Sequence, residues 1–369
     1  MAKKNDEMII RGYKNGDEKQ ISHLFFNNFP DTLDPESICK TWLWQFQNSF
    51  SKDSGVSVAE LCDEIVAHYA VMWFPMSYQG HRISGAVSTA TVTDKKASGK
   101  GLFTKLAKRV FAEIETDGCK LVFGFPNSQS IRGFVKKLEW FEIAKFPLLI
   151  KPVNFSPFLN KFLGNKPLTA FISFFMNRVY HFSFKLFTGW GQDRTIRIVT
   201  DVEEFSEEFN KIWKSCFASS KIAVARESAY LKWRYLDKPF GKYDIVTVVG
   251  ENNEIAGYMV IAVAEKKGLK VVYVMEIMAI DDNKRVYGKF LKYLETYARE
   301  RKADAVSMLS LPNNPNKWLF YKYGFLPVPK RMFPQDIHFC AYVNSRDINK
   351  KYAGNSNNWF ITWGDLDIV

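Results

Sequence analysis

The chain repeats itself once, and that repeat restricts the architectures open to it more than any other feature. Ile10-Arg11, followed by a polar turn and an amphipathic run carrying Ile21, Leu24 and Phe25, returns as Ile196-Arg197 followed by Phe205, Phe209 and Ile212. Ser98-Gly99-Lys100-Gly101-Leu102-Phe103 returns as Arg285-Val286-Tyr287-Gly288-Lys289-Phe290, both x-x-x-Gly-x-Phe between a strand-like and a helix-like run. Phe125-Pro126-Asn127 returns as Leu311-Pro312-Asn313, and each proline is followed eight residues on by a phenylalanine, Phe134 and Phe320. The offset is 186 or 187 residues at every landmark. Two copies of one unit account for a shared offset; the alternative is two unrelated α/β domains whose punctuation coincides.

Each copy reads as strand, helices, a strand ladder, a glycine-bearing loop, a helix, a strand and a helix. Residues 65–73 and 83–93 are β-rich with Gln79-Gly80 as the turn between strands, and Leu102, Leu106, Val110 and Ile114 form a helical stripe that buries against a sheet. In the second copy, residues 243–249 and 255–263 flank Glu251-Asn252-Asn253 like a hairpin, and 271–280 form the strand before the second loop. The expected class is α+β (mixed α/β), with a mixed, mostly antiparallel sheet flanked by helices in each copy. The expected division is an N-terminal unit 1–150, an aromatic and basic insert 151–194, and a C-terminal unit 195–369. Within the insert, 167–187 is largely apolar but carries Arg178, His181 and Lys185, too interrupted for a comfortable membrane span. It reads either as a helical bridge between the units or as a basic amphipathic segment lying on a membrane.

A glycine-bearing turn between strand and helix presents free amides beside the positive end of the helix dipole, which suits phosphate. Gly99 and Gly101 permit close approach, and Lys95, Lys96 and Lys100 add positive charge. Neither GxxxxGK[ST] nor GxGxxG is present. The segment from Thr93 through Ser98-Gly99-Lys100-Gly101 to Phe103 resembles the acyl-CoA pyrophosphate loop of GNAT N-acetyltransferases, commonly H-P-x-x-R-G-x-G before a helix. Tyr321-Lys322-Tyr323-Gly324-Phe325 is similar to that family's Y-x-K-x-G-F ending. Ser98 departs from the usual Arg or Gln, no proline precedes it, and Phe320 stands where a tyrosine often acts as general acid.

The resemblance implies two tandem GNAT-like units and acetyl-CoA, or another acyl-CoA, as co-substrate, with no metal. It places the donor in a splay between the strands ending near Thr93 and Phe125. The backbone of Thr91, Val92 and Thr93 would grip the pantetheine arm, and Ser98, Gly99, Lys100, Gly101, Leu102 and Phe103 the pyrophosphate. Asn127 would sit at the mouth, or cap a helix there. The first copy, with the more open loop, is expected to hold the donor.

Direct attack on a thioester needs a neutral amine and hence a base. His68 lies on a strand and reads as structural. Glu276 shares by alternation a strand face with Val272, Val274 and Met278, where burial would raise its pKa; the alternative is a salt-bridged core glutamate. The segment 359–369 is aromatic and alternating, like an anchored strand. N-myristoyltransferase and the enhanced-intracellular-survival acetyltransferase are tandem GNAT proteins that use a C-terminal carboxylate as base. Similarity to them would give Val369 that role, with Asp365 and Asp367 shaping the acceptor pocket.

The net charge of +12 suits an anionic ligand or surface. Five scattered cysteines without a CxxC pair, and a polar stretch over residues 1–7, imply a reducing cytoplasm and no signal peptide. The reading is an N- or O-acyltransferase for a small amine or amino-sugar acceptor. A peripheral membrane contact through 167–187 is compatible with it, and nucleic acid is not an expected partner. Its rivals are a Fem-type transferase using aminoacyl-tRNA, disfavoured by the lack of a heptad-patterned arm, and a decayed binding module.

Overall fold

The computed structural model describes residues 7–30, 32–51, 54–145, 148–164, 167–189, 195–200, 202–217, 221–311, 313–328 and 337–366. The first half runs β1 (Ile9–Gly12), α1 (Asp17–Asn28), α2 (Pro35–Phe46), β2 (Ser54–Leu61), β3 (Glu64–Tyr78), β4 (His81–Thr93), α3 (Leu102–Thr116), β5 (Leu121–Gly124), α4 (Ile131–Lys137), β6 (Phe141–Lys145) and β7 (Leu148–Pro152). Helices α5 (Ser156–Leu163) and α6 (Pro167–Gly189) follow. The second half runs β8 (Arg197–Val199), α7 (Glu208–Phe217), β9 (Ala223–Val224), α8 (Ser228–Tyr235), β10 (Asp244–Val249), β11 (Ile255–Lys266) and β12 (Leu269–Ala279). It continues with α9 (Lys284–Glu300), β13 (Ala305–Leu309), α10 (Lys317–Lys322), β14 (Leu326–Pro327), β15 (His338–Val343) and α11 (Lys350–Ala353). The order of elements repeats as the sequence landmarks require.

The two sheets exchange strands. One has the order β1-β2-β3-β4-β5-β15-β6, with β9 also pairing β3; the other has β8-β10-β11-β12-β13-β7-β14. Each half therefore sends its last long strand into the other half's sheet, between that sheet's fifth and sixth strands. The bounds 1–150 and 195–369 divide the chain but not the sheets. Among the described strands only β4–β5 and β12–β13 pair in parallel; the other strand pairs are antiparallel.

Local sequence explains the ladders. Gln79 and Gly80 both take positive φ, 51° and 78°, the paired left-handed geometry that closes a two-residue hairpin with the twist of its strands. Leu102, Leu106, Val110 and Ile114 of α3 are all buried against the first sheet. Val286, Phe290, Leu291 and Leu294 of α9 do the same on the second. A third apolar cluster draws Val87 and Phe123 from the first sheet, Met275 and Leu309 from the second, and Trp359 and Trp363 from the C-terminal segment.

Three expectations need correction. Gly288 does not mark a loop: it lies inside α9, buried against the Tyr323 hydroxyl, because the second helix starts earlier relative to its strand. The register of β11 with β12 shifts between Val260 and Ile261, leaving Met275 as a bulge, so Glu276 and Met278 face away from Val272 and Val274. The segment from Trp359 is anchored but is not a strand. It makes one isolated bridge to Ile222 and then a 3₁₀ turn, Trp363–Asp365, closed by Thr362 and Asp365 as a capping box.

The exchange predicts joint unfolding. Phe339 of β15 is fully buried among Phe123, Phe125 and Trp359. Phe339→Ala should cost about 3–5 kcal/mol and lower one common denaturation midpoint. Two separate transitions, only one of them shifted, would contradict a shared core.

Candidate active site

The two parallel pairs are both short, and beyond them the strands part. Pairing of β4 with β5 ends at Ser88 and Gly124, although β4 runs on to Thr93. From Gly124 the chain turns away: His338 donates its amide to the Pro126 carbonyl, and Asn127 bridges Ile337. No strand pairs with the β5 side of Thr91, Val92 or Thr93 among the described residues. The result is a splay with one free strand edge, lying at the foot of the loop.

That edge is shaped by a bulge. The β3–β4 register shifts between His68 and Ala70, and Ala90 takes a φ of 51°. His68 fixes the bulge: its Nδ1–H donates to the Ala90 carbonyl at 2.6 Å, while Trp42 Nε1–H donates to its Nε2 at 3.1 Å. Full burial lowers the imidazole to about 4, so it is neutral and its ring nitrogens are both engaged. His68 is a structural histidine, as its strand position suggested.

The loop ahead of α3 is open. Ser98, Gly99, Lys100 and Gly101 are exposed; Gly99 and Gly101 have φ of 78° and 71°, and a Cβ on either would meet nothing within 4 Å. No side chain caps the helix, so its first-turn amides stay available to an anion. Leu102 is buried and the Phe103 ring packs on Tyr69 and Phe134, so these two offer backbone only. Beside the loop, Phe103, Ser130, Arg132, Lys136 and Lys137 line an open hollow of about 380 Å³. Sequence reasoning missed this basic rim, whose signal is the clustering of Arg132, Lys136 and Lys137 on one short helix. Asn127 accepts at Oδ1 from the amides of Gln129 and Ser130, ordering the approach to α4.

The second copy differs where charge matters. Its helix α9 is capped by Asn283, which accepts from the Arg285 amide, and Asp281 and Asp282 stand just before it. A cavity of about 210 Å³ lies at this splay, lined among others by Lys221, Met278, Asp282, Tyr287 and Trp359. Burial raises the Asp282 carboxyl, while Tyr287, Lys221 and Asn316 favour its charged form. Two acidic groups and a filled cap thus stand at this helix end, with Lys284 and Arg285 in its first turn.

Glu276 and Asp365 are brought together by Arg226, which sequence reasoning also missed. The guanidinium donates from Nε to Glu276 at 3.3 Å and from Nη2 to Asp365 at 2.5 Å, and all three side chains are fully buried. Tyr235 donates its hydroxyl to Glu276, and Thr362 Oγ1 accepts from Arg226. Burial raises the Glu276 carboxyl; Arg226 opposes this and Asp365 adds to it. The available clue was a lone arginine after the apolar run Ile222-Ala223-Val224-Ala225. Val369 and Asp367 lie outside the described residues. The chain is held as far as Leu366, whose carbonyl accepts from Arg234.

Two outcomes follow from this cluster. Arg226→Met leaves two buried carboxyls without their cation and should cost about 3–5 kcal/mol in chemical denaturation. A raised carboxyl binds its proton more tightly in the folded chain. Stability is therefore lost as pH climbs from about 4.3, where a free glutamate ionises, through the higher folded value. Glu276→Gln should flatten that decline in denaturation midpoints measured across pH 5–8; an unchanged slope would reject the assignment.

Comparison with known proteins bears on the fold. Residues 9–141 match the family model described as "Acetyltransferase (GNAT) domain". No curated protein sequence matches the chain. Among solved structures, a GCN5-related N-acetyltransferase from Anabaena variabilis aligns at TM-score 0.64 and 10% identity, over 92% of this chain and 73% of its own. A tandem GNAT protein from the clavulanic acid biosynthesis pathway aligns at 0.56 and 10%, over 92% and 99%. Saccharomyces cerevisiae N-myristoyltransferase with bound myristoyl-CoA aligns at 0.56 and 11%, over 96% and 89%. At such identities the structures speak for the fold, and the family model speaks for the first unit. Residues 9–141 thus match a GNAT acetyltransferase domain, and the chain as a whole has the fold of the tandem GNAT structures it aligns with.

Proposed function

We propose that the chain transfers an acyl group, with acetyl-CoA as the donor, to the amine or hydroxyl of a small acceptor such as an amino sugar. The donor would bind in the first unit. The observation that carries this reading is the uncapped start of α3 behind two open, positive-φ glycines, next to a splay with a free strand edge.

The amides of the Ser98-Gly99-Lys100-Gly101-Leu102-Phe103 loop would hold the pyrophosphate at the positive end of the α3 dipole. Lys95 and Lys100 would contribute long-range attraction, and Arg132, Lys136 and Lys137 charge-assisted contacts to the terminal phosphate. Backbone groups of Thr91, Val92 and Thr93 would pair with the amide-bearing pantetheine arm as a strand would. Asn127 would keep the β5 exit and α4 in place at the mouth. The bound thioester supplies an activated acyl group; the chain supplies orientation and free N–H groups for the charge that develops on its carbonyl oxygen.

Glu276 and Asp365 are buried and joined through Arg226, so we assign them positioning roles. Through Arg226 they hold the turn Trp363–Asp365 against β12.

Titration calorimetry with acetyl-CoA tests the donor site. Gly101→Ala places a methyl group at a left-handed backbone position that faces the proposed ligand, and should weaken binding about tenfold or more. Gly118→Ala, at φ 92° and equally unobstructed at the far end of α3, carries the same backbone strain away from the loop and should bind normally. Equal losses in both variants, or heat absent from the folded wild type, would reject it. Thiol release from acetyl-CoA on addition of a panel of amino sugars then identifies the acceptor class.

A further inference from the structure

Helix α6 is built inside out. Thr169, Ser173, Asn177 and His181, at four-residue steps, line its inner side. Thr169 and Ser173 are buried, Asn177 accepts from the Phe155 amide, and His181 faces Glu295, which also holds the buried Lys151 at 2.6 Å. The outer side carries Leu168, Phe171, Phe175, Val179, Phe182 and Leu186, each 49–71% exposed. Their spacing alternates between three and four residues, so they form one stripe about 27 Å long. A helix whose only partner were this protein would place those rings inward and its hydroxyls and carboxamide outward. Contiguous apolar surface of this extent marks an interaction site.

Charge selects the occupant. From residue 152 to 192 the chain has no Asp or Glu, but it has Lys161, Lys166, Arg178 and Lys185. Arg178 is exposed on the same outer side as the apolar stripe. No helix among the described residues is long and apolar enough to cross a membrane. An apolar stripe with basic and no acidic neighbours, on a helix that does not span, fits the headgroup–acyl boundary of an anionic bilayer. A self-associating surface would gain nothing from like charge carried on both copies.

We propose that α6 docks the protein on an anionic lipid surface, lying in the plane of the interface with Phe171, Phe175 and Phe182 inserted. The test is flotation of the full chain with vesicles of phosphatidylcholine alone, or with roughly one part phosphatidylglycerol to three parts phosphatidylcholine. The wild type should float with the anionic vesicles and do so less at high salt. Phe171→Ser/Phe175→Ser/Phe182→Ser, all on the solvent side, should keep the melting temperature and lose about tenfold or more of that binding. Arg178→Glu, a single surface change that serves if the triple variant folds poorly, should weaken binding to the anionic vesicles only. Two results would overturn the proposal. One is a wild type that stays with the soluble fraction in both mixtures. The other is a dimer in light scattering that the triple variant converts to monomer, with vesicle binding unaffected.

Discussion

The reciprocal exchange of β7 and β15 is the constraint on which the rest of this structure depends. Each visiting strand supplies backbone partners that the host sheet cannot obtain from its own half: β15 pairs both β5 and β6, and β7 pairs both β13 and β14. A strand left without either neighbour would expose a row of unpaired amides and carbonyls, so neither half is complete alone. The exchange also makes the site. By holding β5 from its outer side and drawing Pro126 and Asn127 toward Ile337 and His338, β15 pulls the chain away from β4. What remains is a β4 edge with no strand against it among the described residues.

Duplication gave the protein two such splays, and side-chain chemistry has separated them. The backbone logic is common: a short parallel pair, a bulge on the longer strand, a helix pointing its amino end at the gap. In the first copy that amino end carries glycines and lysines and no cap; in the second it carries Asn283 and two aspartates beside Lys284 and Arg285. A helix end with a filled cap and adjacent carboxylates has lost most of its attraction for a diphosphate. In the proposed reading the second copy serves as scaffold. Its β12 carries the buried Glu276–Arg226–Asp365 cluster that holds the C-terminal segment between the sheets.

Much of this was legible in the sequence because it is local. The Gln79-Gly80 turn, the α3 stripe and the glycine loop depend on residues a few positions apart, where conformational preference and periodicity act directly. The repeat was legible for the same reason, since each landmark is itself local. What escaped was set by distance. The pairing of β15 with β5 joins residues more than two hundred positions apart, and nothing in either strand's pattern names its neighbour. The bulge at Met275 defeated strict alternation, turning Glu276 to the opposite face from Val274. Gly288 looked like Gly101 because both precede a phenylalanine by two residues, yet one is a loop glycine and the other fits under Tyr323. Arg226 stayed hidden because a buried cation is recognised by its partners, and these lie fifty and 139 residues away.

In the proposed function, backbone amides in front of α3, and not those in front of α9, receive the diphosphate of an acyl-CoA donor. A crystal structure of the chain with coenzyme A bound tests it most directly. The account predicts pyrophosphate oxygens within hydrogen-bonding distance of the amides between Gly99 and Phe103, with the pantetheine arm running along Thr93, Val92 and Thr91. Pyrophosphate at the start of α9 beside Asp281 and Asp282, or coenzyme A lodged outside both splays, would contradict it.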